Sequence, residues 1–204
     1  MIKNVIFDIG NVILNFDYKN VIEKYTNNVE EQKFIIDNII NSPEWLGYAL
    51  IDTGYITKKE AIEIVKDRTN HTNDDLIENF WNNYNDYAII DKDVLRLIKK
   101  LKEIGYGIYL LSNINEYTYN FVKKSGIFDI VDGYVLSYQE HQIKPYISIY
   151  NTLLNRYKLI PNECIFIDDN EKNIETAIKL GMAGKIVKPD NYDSVIEVVN
   201  GLIK

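Results

Sequence analysis

The chain contains short apolar runs, each about the length of a β-strand, that are separated by helical patterns. The runs are Val5-Ile6-Phe7, Ile108-Tyr109-Leu110-Leu111, Tyr134-Val135-Leu136, Ile165-Phe166-Ile167 and Lys185-Ile186-Val187. Runs of this kind are typical of strands that are buried on both faces of a sheet. Strands that alternate with helices form a parallel sheet, because each connection must cross a face of the sheet to return. The pattern therefore predicts an α/β fold with helices on both sides of a parallel sheet.

Helical patterns account for most of the remaining chain. The clearest has apolar residues at Val94, Leu95, Leu97, Ile98, Leu101 and Ile104 and ends at Gly105, where a helix stop is expected. Others cover roughly 148–158, 171–180 and 192–203. A long interval without a convincing strand follows Phe7, and it predicts helices at Asp17–Thr26, Glu31–Ile40, Thr57–Arg68 and Asn73–Asn85. We expect residues 1–15 and 88–204 to form the sheet domain and residues 16–87 to form a helical insertion.

Polar side chains follow the predicted strands at their carboxyl ends, where ligands bind in sheets of this kind. Asp8 follows the first run, Ser112-Asn113 the second and Asp168-Asp169 the fourth, and Lys144 comes shortly after the third. Carboxylates supply the oxygen ligands that Mg²⁺ prefers, and the cation would offset the charge of a phosphate placed beside Asp8. Lys144 adds a positive charge, and Ser112-Asn113 can hydrogen-bond phosphoryl oxygens. The set predicts a magnesium and phosphate site.

Each of these residues also has an ordinary structural interpretation. Asp residues commonly cap helices, so Asp168-Asp169 are candidates to cap a helix near Glu171, and Ser112-Asn113 are candidates to begin another. Lys144 alone is compatible with a solvated surface lysine. The combination of all four sites, in this order, favours chemistry over these alternatives.

Four segments resemble, in order, the four motifs of the haloacid dehalogenase superfamily, and the resemblance covers essentially the whole chain. The segments are Asp8-Ile9-Gly10-Asn11-Val12, Leu111-Ser112-Asn113, Lys144-Pro145 and Phe166-Ile167-Asp168-Asp169-Asn170. The first and last look most like those of bacterial sugar-phosphate phosphatases typified by glucose-1-phosphate phosphatase, and like those of the phosphatase domain of soluble epoxide hydrolase. The resemblance implies a Rossmann-like, three-layer parallel sheet core with a small inserted helical cap of the C1 type.

The resemblance also implies a role for each motif residue. Asp8 would form a transient aspartyl phosphate, and Mg²⁺ would be held by Asp8, the backbone carbonyl of Gly10 and Asp169. Asp168 would bind the ion through water or support its ligands. The phosphate would be bound by three side chains, those of Ser112, Asn113 and Lys144. The implied activity is Mg²⁺-dependent hydrolysis of a small phosphorylated metabolite, with a sugar phosphate favoured, and the cap would select the leaving group.

The sequence departs from the family pattern at Gly10. Most phosphatases of this superfamily carry there a second Asp, which protonates the departing alcohol. Positioned acid catalysis contributes about 10²–10⁴ in rate, so its loss matters most for a strongly basic leaving oxygen. We expect a preference for anomeric sugar 1-phosphates, aryl phosphates or acyl phosphates, unless a cap group or a bound water donates the proton. Candidate substrate-facing cap residues, which are as readily cap core, are Trp45, Leu46, Tyr48 and the turn Asp52-Thr53-Gly54-Tyr55.

Charge and hydropathy limit the partners. A net charge of −7 without a basic cluster gives no attraction for nucleic acid. No run approaches the ~18 apolar residues of a membrane helix, and we expect a cytoplasmic monomer or homodimer. Two alternative functions stay open: a metal-independent haloacid dehalogenase, which the Asp168-Asp169 pair disfavours, and a non-catalytic regulatory or binding protein of the same fold.

Overall fold

The computed structural model describes residues 1–15, 18–41, 49–188 and 192–202. Its strands in these ranges are β1 (Asn4–Phe7), β2 (Leu14–Asn15), β3 (Ile89–Ile90), β4 (Gly107–Ser112), β5 (Gly133–Leu136), β6 (Cys164–Asp168) and β7 (Ala183–Ile186). Five of them form one parallel sheet in the order β5-β4-β1-β6-β7. The predicted parallel sheet is confirmed.

The first strand lies at the centre of this sheet. Phe7 of β1 pairs with Leu110 of β4 on one side and with Ile167 of β6 on the other. The sheet then continues outward in both directions, to β5 beyond β4 and to β7 beyond β6. A reversal of strand order of this kind opens a crevice at the carboxyl edge, where ligands bind. Asp8, which directly follows β1, lies at this crevice.

The prediction for the last strand is partly wrong. The apolar run Lys185-Ile186-Val187 predicts a strand buried on both faces, whereas β7 spans Ala183–Ile186 at the edge of the sheet. Ile186 is 55% exposed there. An edge strand has a neighbour on one side only, and a short apolar run does not distinguish an edge from a central position.

The helices follow the predicted segments to within a few residues, with additional short ones. In the described ranges they are α1 (Tyr18–Tyr25), α2 (Val29–Ile35), α3 (Ala49–Asp52), α4 (Lys58–Arg68), α5 (Asp74–Asn83), α6 (Lys92–Glu103), α7 (Glu116–Lys123), α8 (Ile127–Ile130), α9 (Ser137–Glu140), α10 (Ile147–Arg156), α11 (Glu171–Lys179) and α12 (Tyr192–Leu202). A π-helical turn, Ile36–Ile40, continues α2, and 3₁₀ turns cover Tyr84–Tyr87 and Pro161–Glu163. Within these ranges, no helix combines the length and the apolar character needed to cross a membrane.

Helices pack on both faces of the sheet, as the alternation of strands and helices requires. Phe7 contributes to an apolar cluster with Val94 and Ile98 of α6. Its neighbour Ile6, which points to the opposite face, contributes to a second cluster with Ile149 and Leu153 of α10. The core is therefore three-layered, as predicted.

The helical segment after β2 has an apolar cluster of its own. Val21 of α1, Ile35 of α2 and Phe80 and Trp81 of α5 are buried together. The chain enters and leaves this segment through an antiparallel pair, in which Leu14 of β2 pairs with Ile90 of β3. This pair was not predicted, because strands of two residues are too short to show a period in the sequence.

Candidate active site

Asp8 begins a tight turn directly after β1. Its amide donates to the carbonyl of Ile167 at 2.9 Å, which extends the pairing with β6 by one residue. The amide of Ile9 donates to Asp8 Oδ1 at 2.7 Å. The turn then passes through Asn11, whose left-handed backbone (φ 55°) is a conformation that Asn adopts more readily than most residues. These contacts fix the Asp8 carboxylate at the sheet edge with only 7% of the residue exposed.

Lys144 is the cation at the centre of the site. Its Nζ lies 2.9 Å from Asp8 Oδ1 and 2.7 Å from Asp168 Oδ2, and the residue is 3% exposed. The interpretation of Lys144 as a surface lysine is therefore wrong. The side chain of Asn113 fixes the backbone of Lys144: Asn113 Oδ1 accepts from the Lys144 amide at 2.8 Å, and Nδ2 donates to the Lys144 carbonyl at 3.0 Å. Asn113 thus positions the lysine, and its phosphate contact stays a prediction.

The two acidic residues after β6 have different surroundings. Asp168 is fully buried, and its oxygens accept from Lys144 Nζ and, at 3.0 Å each, from the side-chain amide of Asn173. Asp169 is half-buried and accepts from Asn11 Nδ2 at 2.9 Å. One carboxylate oxygen from each of three residues, Asp8, Asp168 and Asp169, lies within 4.8 Å of the others. The carboxylate of Asp169 therefore accepts fewer hydrogen bonds from side chains than that of Asp168.

The pairs Asp168-Asp169 and Ser112-Asn113 do not cap the helices that follow them. Asn170 caps α11, since its Oδ1 accepts from the Lys172 amide at 3.0 Å. Asn115 caps α7, since its Oδ1 accepts from the Thr118 amide at 2.9 Å. The capping alternative is therefore wrong for Asp168-Asp169 and for Ser112-Asn113.

The buried charges do not balance. Burial raises the pKa of Asp8 to about 7; Lys144 lowers it, whereas Asp168 and Asp169 raise it. Burial lowers the pKa of Lys144, but attraction to Asp168 and Asp8 outweighs burial and raises it overall. Burial also raises the pKa of Asp169. When all three carboxylates are ionised, they and the one ammonium leave a charge of −2 in this cluster, which a divalent cation would neutralise.

A cavity of about 100 Å³ lies beside the cluster and is lined by residues from the sheet edge and from the helical segment between β2 and β3. Its lining includes Gly10 from the first turn, Ser112 from the end of β4, and Asp52 from the insertion. The Ser112 hydroxyl is buried and has no hydrogen-bond partner among the described residues. An unpaired buried hydroxyl costs about 1–3 kcal/mol, so a ligand with an acceptor oxygen in this cavity would relieve that cost.

Sequence reasoning did not identify Asn173 or Asn115 as residues of the site. Asn173 orients the Asp168 carboxylate from α11, and a single Asn within a helical pattern gives no signal of such a contact. Asp52 is the one residue of the predicted substrate-facing cap set that lines the cavity in the described part of the chain. Trp45, Leu46 and Tyr48 lie outside the described residues.

The parallel sheet brings buried carboxylates and a bridging lysine together at its carboxyl edge, beside an unpaired serine hydroxyl. This arrangement defines an α/β protein with a site for an anion next to a carboxylate. This chain belongs to the haloacid dehalogenase-like hydrolases, whose family model matches residues 2–181. The family assigned from the four sequence motifs is confirmed.

Similar proteins share the architecture over nearly the full length. A D-ribitol-5-phosphate phosphatase of Bacteroides thetaiotaomicron is 23% identical over 201 residues, which cover 94% of this chain and 93% of that protein. A haloacid dehalogenase (HAD) family enzyme of the same organism, solved in complex with magnesium and inorganic phosphate, is 27% identical with a TM-score of 0.76, and the match covers 94% of this chain and 96% of that one. A HAD-like hydrolase from Porphyromonas gingivalis, 20% identical over 100% of this chain and 98% of its own, shares the fold with a TM-score of 0.78.

Proposed function

We propose that the protein is a Mg²⁺-dependent phosphatase that hydrolyses a small phosphorylated metabolite, a sugar phosphate by preference, through an aspartyl phosphate on Asp8. The observation that carries the proposal is the position of Lys144, whose Nζ contacts both Asp8 and Asp168 within 2.9 Å inside a cluster of three carboxylates. A lysine at this point lowers the repulsion between the Asp8 carboxylate and an incoming phosphate dianion. The unpaired hydroxyl of Ser112 supplies a donor for a phosphoryl oxygen.

The donor set fits magnesium. Hard carboxylate oxygens within 4.8 Å of one another, with an excess of negative charge, are what Mg²⁺ binds. Asp8, the backbone carbonyl of Gly10 and Asp169 would hold the ion, and Asp168, whose oxygens are engaged by Lys144 and Asn173, would support them. When bound, the cation neutralises charge that develops on the phosphoryl group. The enzyme solved with magnesium and phosphate supports this assignment.

The helical insertion, residues 16–87, would act as the cap that selects the leaving group. It contributes Asp52 to the cavity that Gly10 and Ser112 also line. The related D-ribitol-5-phosphate phosphatase is named for an alkyl phosphate, whose leaving oxygen is strongly basic. If this chain also acts on an alkyl phosphate, a group other than Gly10 would have to donate a proton to the leaving oxygen.

The test is a panel of phosphate esters assayed for phosphate release with Mg²⁺, with EDTA, and with Asp8→Asn as the blank. We expect release that requires Mg²⁺ and is abolished in Asp8→Asn, because the carboxylate is the nucleophile. A haloacid dehalogenase would instead release halide from a 2-haloacid and keep working in EDTA. Wild-type protein that releases phosphate from no ester, while it stays folded and binds Mg²⁺, would favour a binding protein.

A further inference from the structure

Gly10 leaves the position of the usual acid empty without a steric reason. A Cβ built on Gly10 meets no atom within 4 Å, and the glycine is not among those with a positive φ. A Cβ is therefore tolerated at this position, so neither a clash at Cβ nor the backbone conformation requires glycine here. A proton for a strongly basic leaving oxygen would then have to come from a group other than residue 10.

Asp52 supplies a carboxyl group on the cap side of this cavity. Among the described residues that line it, Asp52 alone has an ionisable side chain. It ends α3, where the cap meets the core, and its position is fixed from the core side. Its backbone carbonyl accepts from Ser137 Oγ at 2.5 Å, and its Oδ1 accepts from Asn115 Nδ2 at 3.0 Å.

Asn115 is itself held rigidly. Its Oδ1 accepts from the Thr118 amide as the cap of α7, and its Nδ2 also contacts Tyr84 Oη at 3.4 Å. The amide therefore keeps a fixed orientation and offers Asp52 a single neutral donor. No described residue makes a hydrogen bond or ion pair to Asp52 Oδ2, which leaves this oxygen available to carry a proton.

A nucleophilic carboxylate must be ionised, whereas an acid must hold a proton, and the surroundings of Asp8 and Asp52 differ in this respect. Asp8 has Lys144 at 2.9 Å, whereas no described cation pairs with Asp52. Burial raises the pKa of Asp52 to about 7, and the hydrogen bond from Asn115 lowers it only in part. Tyr84, whose pKa burial raises to about 12, lies near Asp52, and His141 contacts the next residue through its Nδ1, which lies 2.8 Å from the carbonyl of Thr53. A carboxyl group that titrates near neutrality is suited to give and take a proton.

We propose that Asp52 is the catalytic acid of this phosphatase, which protonates the leaving oxygen from the cap in place of a residue at position 10. The proposal rests on the proposed function. As an Asp8 oxygen bonds to phosphorus and the bond from phosphorus to the leaving oxygen breaks, the Asp52 carboxyl gives its proton to that oxygen and the alcohol departs. Water then attacks the aspartyl phosphate and passes one proton to the Asp52 carboxylate. Asp8 is released as carboxylate, with hydrogen phosphate as product.

The test compares wild type and Asp52→Asn on three esters of decreasing leaving-group acidity: 4-nitrophenyl phosphate, phenyl phosphate and glycerol 3-phosphate. Asn keeps an oxygen that can accept from Asn115 but has no proton to donate at neutral pH. We expect kcat/KM of Asp52→Asn to fall about 10²–10⁴-fold on glycerol 3-phosphate and less than about tenfold on 4-nitrophenyl phosphate. Asp37→Asn, an exposed acid elsewhere in the cap, is the matched control and should change neither rate.

A second measurement does not depend on the variant. For wild type, kcat/KM on glycerol 3-phosphate should fall as the pH rises above about 7, because the protonated form of Asp52 is lost. The value of kcat/KM on 4-nitrophenyl phosphate should not show this fall. Equal loss by Asp52→Asn on all three esters would show that Asp52 only holds the cap and would overturn the proposal, as would wild-type pH profiles that coincide. Wild type inactive on every ester would instead overturn the proposed function itself.

Discussion

Replacement of Lys144 by Met should destabilise the protein strongly and in a pH-dependent way. The substitution keeps an unbranched side chain that is one atom shorter, and it removes an ammonium that lies 2.9 Å from Asp8 and 2.7 Å from Asp168, both almost fully buried. Removing one partner of a buried ion pair costs about 3–5 kcal/mol, because the remaining charge is left uncompensated. For a chain of this size, about 2–4 °C per kcal/mol converts this to a melting temperature lower by about 6–20 °C at pH 7.5.

The loss should be smaller at pH 5. Without the lysine the pKa of Asp8 rises further, so the folded variant takes up protons that the unfolded chain lacks, and its stability falls as the pH rises through this window. Denaturant unfolding at pH 5 and pH 7.5, in EDTA, measures both effects. Lys3→Met is the control, since its ion pair with Glu163 is exposed and such pairs contribute about 0–1 kcal/mol. A deficit for Lys144→Met below about 1 kcal/mol at pH 7.5, or one that is the same at both pH values, would refute this reasoning.

Three further predictions concern the charged cluster and the neighbouring Ser112. The metal-free protein should lose stability as the pH rises from about 4 to about 7, because the folded-state pKa of Asp8 is raised from 3.8 to about 7 and the folded state holds a proton that the unfolded state has released. Mg²⁺ should therefore raise the melting temperature more at pH 7.5 than at pH 5, and equal shifts would argue against binding by these carboxylates. Ser112→Ala should leave stability unchanged or slightly higher, because it removes an unpaired buried hydroxyl, yet weaken inhibition by inorganic phosphate about tenfold or more. Unchanged phosphate inhibition would exclude Ser112 from the phosphate site.

The sheet and its reactive edge were predictable because the central strands, which are buried on both faces, are apolar throughout and are followed directly by polar residues. Val5-Ile6-Phe7 and Ile165-Phe166-Ile167 are apolar throughout, so their ends, and the acids that follow them, could be located directly. Parallel pairing then brings those ends to one edge without any further information. The roles of individual side chains did not follow in the same way. The phosphate contact of Asn113 stays a prediction, and nothing in the sequence indicates that its side chain also engages the backbone of Lys144, a contact that only the loop geometry reveals.

The position of Asp52 depends on how the insertion docks against the core. Its contacts join residues that lie 63 positions apart, for Asn115, and 85 positions apart, for Ser137. A local pattern carries no information about such pairs, and four residues of helix give too short a period to orient α3. The sequence therefore left open whether a cap group replaces the acid missing at Gly10. The structure favours Asp52 as this group.

The central claim is that Asp8 becomes phosphorylated, and rapid-quench peptide mapping tests it most directly. Wild-type protein is mixed with Mg²⁺ and 4-nitrophenyl phosphate, quenched in acid within milliseconds, digested and examined by mass spectrometry. We predict one phosphoryl group on the peptide that carries Asp8, formed fast enough to account for turnover and absent from Asp8→Asn. Steady release of phosphate with no phosphorylated peptide at any quench time, or undiminished turnover by Asp8→Asn, would contradict the account.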